Sequence, residues 1–244
     1  MSSTVPQQLR VAGRVPPPPT VHQLILSGDV VGAQQLLQNN QNLVKSKDES
    51  GRIPIHWACS MGFTELTELL LTLGSPVDPS DDDQLTPLII AASAGRTPIV
   101  RLLISKGADV NAQNSGGHSA LQYASSKNHL DVVEILLANQ ADINMRDSYN
   151  ATALHRAASV GNAKLVKVLL DQKNPKAEID AKDSQGNTPL HLACEDEQVE
   201  AAKLLLAYGA KSDVQNKAKL TPFELITTKS VASVLQGVAS SRKS

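Results

Sequence analysis

A four-residue pattern, Thr-Pro-Leu-His or a close variant, returns through the chain at a nearly constant interval. It reads Ile53-Pro54-Ile55-His56, Thr86-Pro87-Leu88-Ile89, Ser119-Ala120-Leu121-Gln122, Thr152-Ala153-Leu154-His155, Thr188-Pro189-Leu190-His191 and Thr221-Pro222-Phe223-Glu224. The starts at 53, 86, 119, 152, 188 and 221 are separated by 33, 33, 33, 36 and 33 residues. Such a period restricts the chain to an array of equivalent units, each of which buries its apolar face against its neighbours. The expected product is an extended binding surface and not a catalytic pocket.

Residues 183–210 show what one unit contains. Asp183 to Asn187 is a polar turn with Gly186 where a positive φ is expected. Thr188 is placed to cap a helix, and Pro189 occupies the first turn, where its missing N–H is harmless. Leu190, Leu192 and Ala193 turn inward. Val199, Ala202, Leu205 and Leu206 give a second helix its apolar stripe, and Gly209 stops it. Equivalent stripes are Leu66/Leu69/Leu70, Ile99/Leu102/Leu103, Val132/Val133/Leu136/Leu137, Leu165/Val168/Leu169 and Val231/Val234/Leu235. A glycine between the two helices recurs at Gly28, Gly62, Gly95 and Gly161, with Asn128, Glu197 and Ser230 in its place elsewhere.

This motif and period resemble ankyrin repeats. The resemblance implies an all-α solenoid of about seven repeats, built of helix pairs with projecting β-turn or hairpin tips. A degenerate first unit containing His22 begins near residue 19, and further units begin near 53, 86, 119, 152, 188 and 221. The repeat domain is expected over 19–238, with the first and last units as caps. Residues 1–18, rich in proline and without an acid, read as a disordered tail, and 239–244 as a frayed end. The three extra residues around Lys173-Asn174-Pro175-Lys176 are expected to lengthen one loop without breaking the stack.

The charge balance is nearly neutral at −1, and no basic face is evident, so a nucleic-acid partner is not expected. No apolar run approaches the ~20 residues of a membrane span. Cys59 and Cys194 each follow the small residue of the motif and read as buried free thiols. His56, His155 and His191 share one repeat position and therefore stand a repeat apart, too far for one metal. They read as structural groups bonding local backbone or a capping hydroxyl. Asp81-Asp82-Asp83 lacks the ligand spacing of a calcium loop and reads as a solvated turn tip. No catalytic, metal or cofactor constellation is found, and the chain is expected not to be an enzyme.

With the framework positions assigned, the remaining residues describe a face formed by turn tips and the exposed side of each first helix. In order these include Ser50, Arg52, Trp57 and Met61, then Asp82, Asp83 and Leu85. Arg96, His118, Tyr123, Lys127, Tyr149 and Arg156 follow, with Glu195 and Asp196 last. Trp, Tyr and Arg are common interface anchors, and alternating charge suits a protein partner with mixed charges of its own.

Several segments carry a closer likeness. His56-Trp57-Ala58-Cys59-Ser60, Ala91-Ala92-Ser93-Ala94-Gly95-Arg96, Ala124-Ser125-Ser126-Lys127-Asn128, the run from Ala151 to Ala158 and the run from Gly186 to Cys194 resemble the gankyrin family, in register from about residue 20 to 238. The resemblance implies a monomeric, cofactor-free assembly chaperone of the 26S proteasome, present in cytoplasm and nucleus. It would bind the C-terminal domain of one AAA ATPase subunit of the 19S base through its concave face. Arg52, Trp57, Asp82 and Lys127 match the family's contact positions. The chain departs from the family at Leu85, where an aromatic is usual. It departs again at Leu192-Ala193-Cys194-Glu195-Asp196, which ends in Asp where the retinoblastoma-binding motif of animal members carries Glu.

Overall fold

The computed structural model describes residues 18–240. The N-terminal tail expected at 1–18 lies outside them, apart from Pro18. Six helix pairs follow in order: α1 (Val21–Ser27) and α2 (Val30–Asn39), α3 (Pro54–Met61) and α4 (Thr64–Thr72), α5 (Pro87–Ser93) and α6 (Thr97–Ser105), α7 (Ala120–Ser126) and α8 (Leu130–Ala138), α9 (Ala153–Val160) and α10 (Ala163–Leu170), α11 (Pro189–Glu195) and α12 (Val199–Tyr208). The seventh unit pairs a 3-10 turn, Pro222–Leu225, with α13 (Lys229–Ser240). α13 runs two residues past the expected limit at 238. Among the described residues the only β pairing given is an isolated bridge between Gln113 and Ser119. The expected all-α solenoid is therefore the observed architecture.

Helices of seven to twelve residues are marginal alone, so packing must hold them. The first helices stack in one row, α1, α3, α5, α7, α9, α11 and the 3-10 turn. The second helices stack behind them in another, α2 to α13. Ala58, Ala91, Ala124, Ala157 and Ala193 recur in the first row and are fully buried, so small side chains set the close approach of neighbouring repeats. Leu66, Leu70, Ile99, Leu103, Val133, Leu136, Leu165, Leu169, Leu205 and Leu206 fill the seam behind them. The extra residues after α10 leave α10 packed on α12. In α13 only Leu235 is buried, and Val234, expected in the stripe, is 45% exposed because no further repeat among the described residues covers it.

Three polar devices repeat with the helices. At the turn tips, backbone N–H groups of Asp82, Ser115, Ser148, Ser184 and Lys217 donate to the carbonyls of Ser50, Asp83, Gly116, Tyr149 and Gln185, a ladder running the length of the array. At the motif, the rings of His56, His155 and His191 bond their own turn through Nδ1 and the next repeat through Nε2. Thr188 is the N-cap of α11, as expected, in a capping box with His191, whose Nδ1 lies 2.9 Å from its hydroxyl. Between the paired helices a left-handed residue recurs at Gly28, Gly62, Gly95, Asn128, Gly161 and Glu197. Ser230 does not join them, because it falls inside α13.

Glu197 holds φ at 52°, a conformation that favours glycine. Its carboxylate accepts from the backbone N–H groups of Thr227 and Thr228 and from both hydroxyls, which anchors the start of the terminal helix. Bonds from the side chains of Thr227 and Thr228 hold its pKa below the ordinary carboxylate value. Its charge is thus committed within the fold.

Candidate functional site

The first-helix face is built on a turn residue that lies five positions before every motif start: Asp48, Asp81, Asn114, Asp147, Asp183 and Asn216. In each, Oδ1 accepts from the backbone N–H groups two and four residues on, at 2.8–3.1 Å. An Asp or Asn is needed because a short side-chain acceptor folds back on its own turn. The remaining side-chain atom is free to hold something else.

What it holds is a residue of the face. Asp48 Oδ2 accepts from Trp57 Nε1 at 2.7 Å. Asp81 Oδ2 accepts from Arg52 Nε at 2.8 Å. Asn114 Nδ2 donates to the Tyr123 hydroxyl at 3.1 Å, and Asp147 Oδ2 accepts from Arg156 Nη2. The Arg52 guanidinium also lies over the Trp57 ring, 4.9 Å from its centroid. Burial would raise the Asp48 carboxyl, but bonds from Trp57, Ser50 and Arg52 outweigh it and hold the pKa below the usual value. Four side chains of the face are therefore oriented before any partner arrives, which lowers the entropic cost of binding.

The sequence-predicted residues divide into three groups. Arg52, Trp57, Leu85, His118, Tyr123 and Arg156 line the first-helix face, half-buried. Arg52, Leu85 and Tyr123 also border an open cleft of about 320 Å³ with Ser60, Ile89, Ile90, Ser93 and Ala94. Ser50, Asp82, Asp83 and Tyr149 stand exposed at the turn tips. Met61, Arg96, Lys127, Glu195 and Asp196 sit at the other end of the helix pairs, where α3, α7 and α11 finish and the inter-helix loops begin. There Arg96 Nε donates to the Ser60 carbonyl of the preceding repeat at 3.2 Å, and Asp196 accepts from the Ser159 hydroxyl. Arg96 passes so close to Gly62 that a Cβ there would lie 3.0 Å from its Nε. Lys127 is exposed.

Two expectations need correction. Asp81 is 7% exposed and forms the base of its turn, so only Asp82 and Asp83 are solvated tip residues. Arg52 and Arg156 are already paired with buried carboxylates and do not offer free charge. Sequence reasoning missed Asp48, Asp147 and Asn114 as supports and Ile90 as a lining residue. The first three were detectable, because an Asp or Asn five residues before each motif is periodic too.

Both cysteines are fully buried free thiols, and burial pushes each pKa up to about 12, which makes them poor nucleophiles. Among the described residues no group of three or more His, Cys, Asp or Glu is placed to hold a metal ion, and no helix is long and apolar enough to cross a membrane. The arrangement offers oriented aromatic, apolar and charged groups for recognition.

A family model described as ankyrin repeats (3 copies) matches residues 21–114, 72–147 and 121–217. The human protein named 26S proteasome non-ATPase regulatory subunit 10 is 45% identical over 62 residues, 25% of this chain and 27% of that protein. Human protein phosphatase 1 regulatory subunit 27 is 39% identical over 63 residues, 26% of this chain and 40% of that protein. These alignments thus span well under half the length of either relative. The crystal structure of the human ASB11 ankyrin repeat domain superposes with a TM-score of 0.81 at 26% identity, covering 91% of this chain and 98% of that one.

Proposed function

The chain belongs to the ankyrin-repeat family of protein-interaction scaffolds, and on that premise we propose that it is a non-enzymatic assembly chaperone of the proteasome regulatory particle. Its first-helix face holds the C-terminal domain of one ATPase subunit of the 19S base. The observation that carries this reading is the make-up of that face in a chain similar to a 26S regulatory subunit. Arg52, Trp57, Leu85, Tyr123 and Arg156 are not required by the repeat framework, yet they gather along one side. The work done is steric and thermodynamic. Binding stabilises the free ATPase module by mass action and covers it until the next assembly partner displaces the chaperone. A monomer in cytoplasm and nucleus fits this role.

Affinity-tagged chain, purified from cells of its own source, tests the reading. Recovery of a base precursor containing one ATPase subunit is expected. Lys127→Glu reverses an exposed charge at the end of α7, beside the first-helix face; it is expected to weaken recovery while helical circular dichroism stays unchanged. The match to the phosphatase regulatory subunit favours a second reading, an adaptor for another protein. Recovery of a phosphatase catalytic subunit without any proteasomal ATPase would replace the first reading with the second.

A further inference from the structure

The turn before α7 and helix α9 bring a histidine and an arginine together over a buried carboxylate from the turn before α9. The Asp147 side chain has no exposed surface. Its Oδ1 accepts from the N–H groups of Tyr149 at 2.9 Å and Ala151 at 3.0 Å, and its Oδ2 accepts from Arg156 Nη2. His118 Nε2 lies 3.5 Å from the same Oδ2 and 3.4 Å from Arg156 Nη2. A guanidinium only donates, so in this arrangement Nε2 accepts and the ring proton is assigned to Nδ1. That Nδ1 is buried with no hydrogen-bond partner. Gly116 makes room for it, since a Cβ there would stand 2.8 Å from Nδ1. Tyr123 of α7 backs the ring, with centroids 5.4 Å apart.

The Asp147–Arg156 pair carries no net charge. Neutral His118 turns a lone pair toward a carboxylate oxygen, and protonation converts that contact into an attraction. With His118 neutral, Asp147 and Arg156 sum to zero. With His118 protonated, the cluster carries +1. About a third of the Arg156 side chain is exposed, and its Nε and Nη1 have no protein partner among the described residues. The groups facing His118 are Asn114 of its own turn, Tyr123 of α7, and Asp147 and Arg156 of the next repeat. On the other side the tip of the preceding repeat carries Asp82 and Asp83, the latter joined to Ser115 through its carbonyl.

We propose that Arg156 and His118 form a receptor for a carboxylate side chain of the protein partner, and that docking is coupled to uptake of one proton by His118. This rests on the first-helix face being the partner surface and not on the partner's identity. The carboxylate pairs with the unused Arg156 nitrogens and restores neutrality once His118 is charged. Asp147 acts as a positioning residue that holds both cations.

The test uses the isotope-labelled full chain with an acetylated, amidated hexaglutamate peptide, and hexaglutamine as the uncharged control. Glutamates stay ionised at pH 6, so any gain on acidification belongs to the protein. Hexaglutamate affinity is expected to rise between pH 7.5 and 6, by at most about tenfold per pH unit for uptake of one proton. The His118 imidazole nitrogen shifts should move toward the protonated form when peptide is added. His118→Gln should remove the pH dependence, and Arg156→Gln should remove most of the binding. Arg156→Lys keeps the charge on Asp147 and guards against a folding defect, with circular dichroism as the check. No binding, pH-independent binding, unmoved His118 shifts with peptide bound, or full affinity in Arg156→Gln would each overturn the proposal. If the tagged chain recovers no proteasomal ATPase while proton-linked hexaglutamate binding persists, the proteasome reading fails and the carboxylate receptor stands.

Discussion

Mild acid should destabilise this protein through three histidines that lie a repeat apart. His56 Nδ1 accepts from Ile53 N–H at 3.1 Å and its Nε2 donates to the Pro79 carbonyl at 3.0 Å. His155 does the same with Thr152 and Asn187, both at 3.1 Å, and His191 with Thr188 at 3.0 Å and Leu220 at 3.2 Å. A proton on Nδ1 would oppose the backbone N–H it now accepts. Burial, the largest cause, lowers all three pKa values below 6.5. The unfolded chain therefore binds more protons once pH falls below about 6.5. Stability is full above that value and declines as pH drops toward the depressed native values. Each excluded proton contributes at most about 1.4 kcal/mol per pH unit, so three give up to about 4 kcal/mol per unit at the steepest point. Bonds that hold the carboxyls of Asp48, Glu197 and Glu224 low delay their own contribution until below about pH 4.5, which separates the two effects. Repeat 4 supplies a control: Gln122 Oε1 accepts from Ser119 N–H at 2.9 Å and Nε2 donates to the Ala151 carbonyl at 2.7 Å, the same pair of bonds without a titrating group. Urea titrations followed by helical circular dichroism at pH 7.5, 6.5 and 5.5 should give a midpoint that is level above pH 6.5 and falls below it. The H56Q/H155Q/H191Q variant should be level throughout and, keeping its hydrogen bonds, lie within about 1 kcal/mol per site of the parent at pH 7.5. H155A should cost roughly 2–5 kcal/mol by stranding the Thr152 N–H and the Asn187 carbonyl. A parent midpoint that ignores pH, or a triple variant that remains equally acid-sensitive, would refute the argument.

Leu169 is fully buried in the second-helix seam, so Leu169→Ala should cost about 2–5 kcal/mol and shift the urea midpoint accordingly. Glu197→Ala removes the acceptor for four bonds at the start of α13; amide hydrogen exchange at residues 229–235 should speed up while α5 to α9 stay protected. Cys59 and Cys194, fully buried with pKa values pushed up to about 12, should resist iodoacetamide at pH 8 in the folded protein and react in urea, as read by mass spectrometry.

Much of the fold was legible because repeat architecture writes local chemistry at a fixed interval. The motif spacing, the helical stripes and the glycines between helices depend on φ/ψ preference and apolar period, which are properties of short segments. The exceptions are instructive. Val234 obeys the stripe but stays exposed, since burial needs a neighbouring repeat and none among the described residues covers it. Ser230 occupies the glycine register but lies in a helix, because the terminal unit folds its first helix as a single 3-10 turn. Glu197 stands in the glycine register by sequence, and only the structure makes it an anchor for α13.

The sequence alone therefore determined the unit, the number of copies and which positions belong to the framework. It also named most of the residues on the first-helix face. Only the tertiary structure decided what those residues are free to do. Whether Arg52 and Arg156 offer charge to a partner depends on the second oxygens of Asp81 and Asp147. Whether His118 is a bystander or part of a receptor depends on Asp147 and Arg156 approaching it from the next repeat. Those contacts arise from how repeats stack and how turns aim their side chains, and a period read along one strand of letters carries no information about the distance across it.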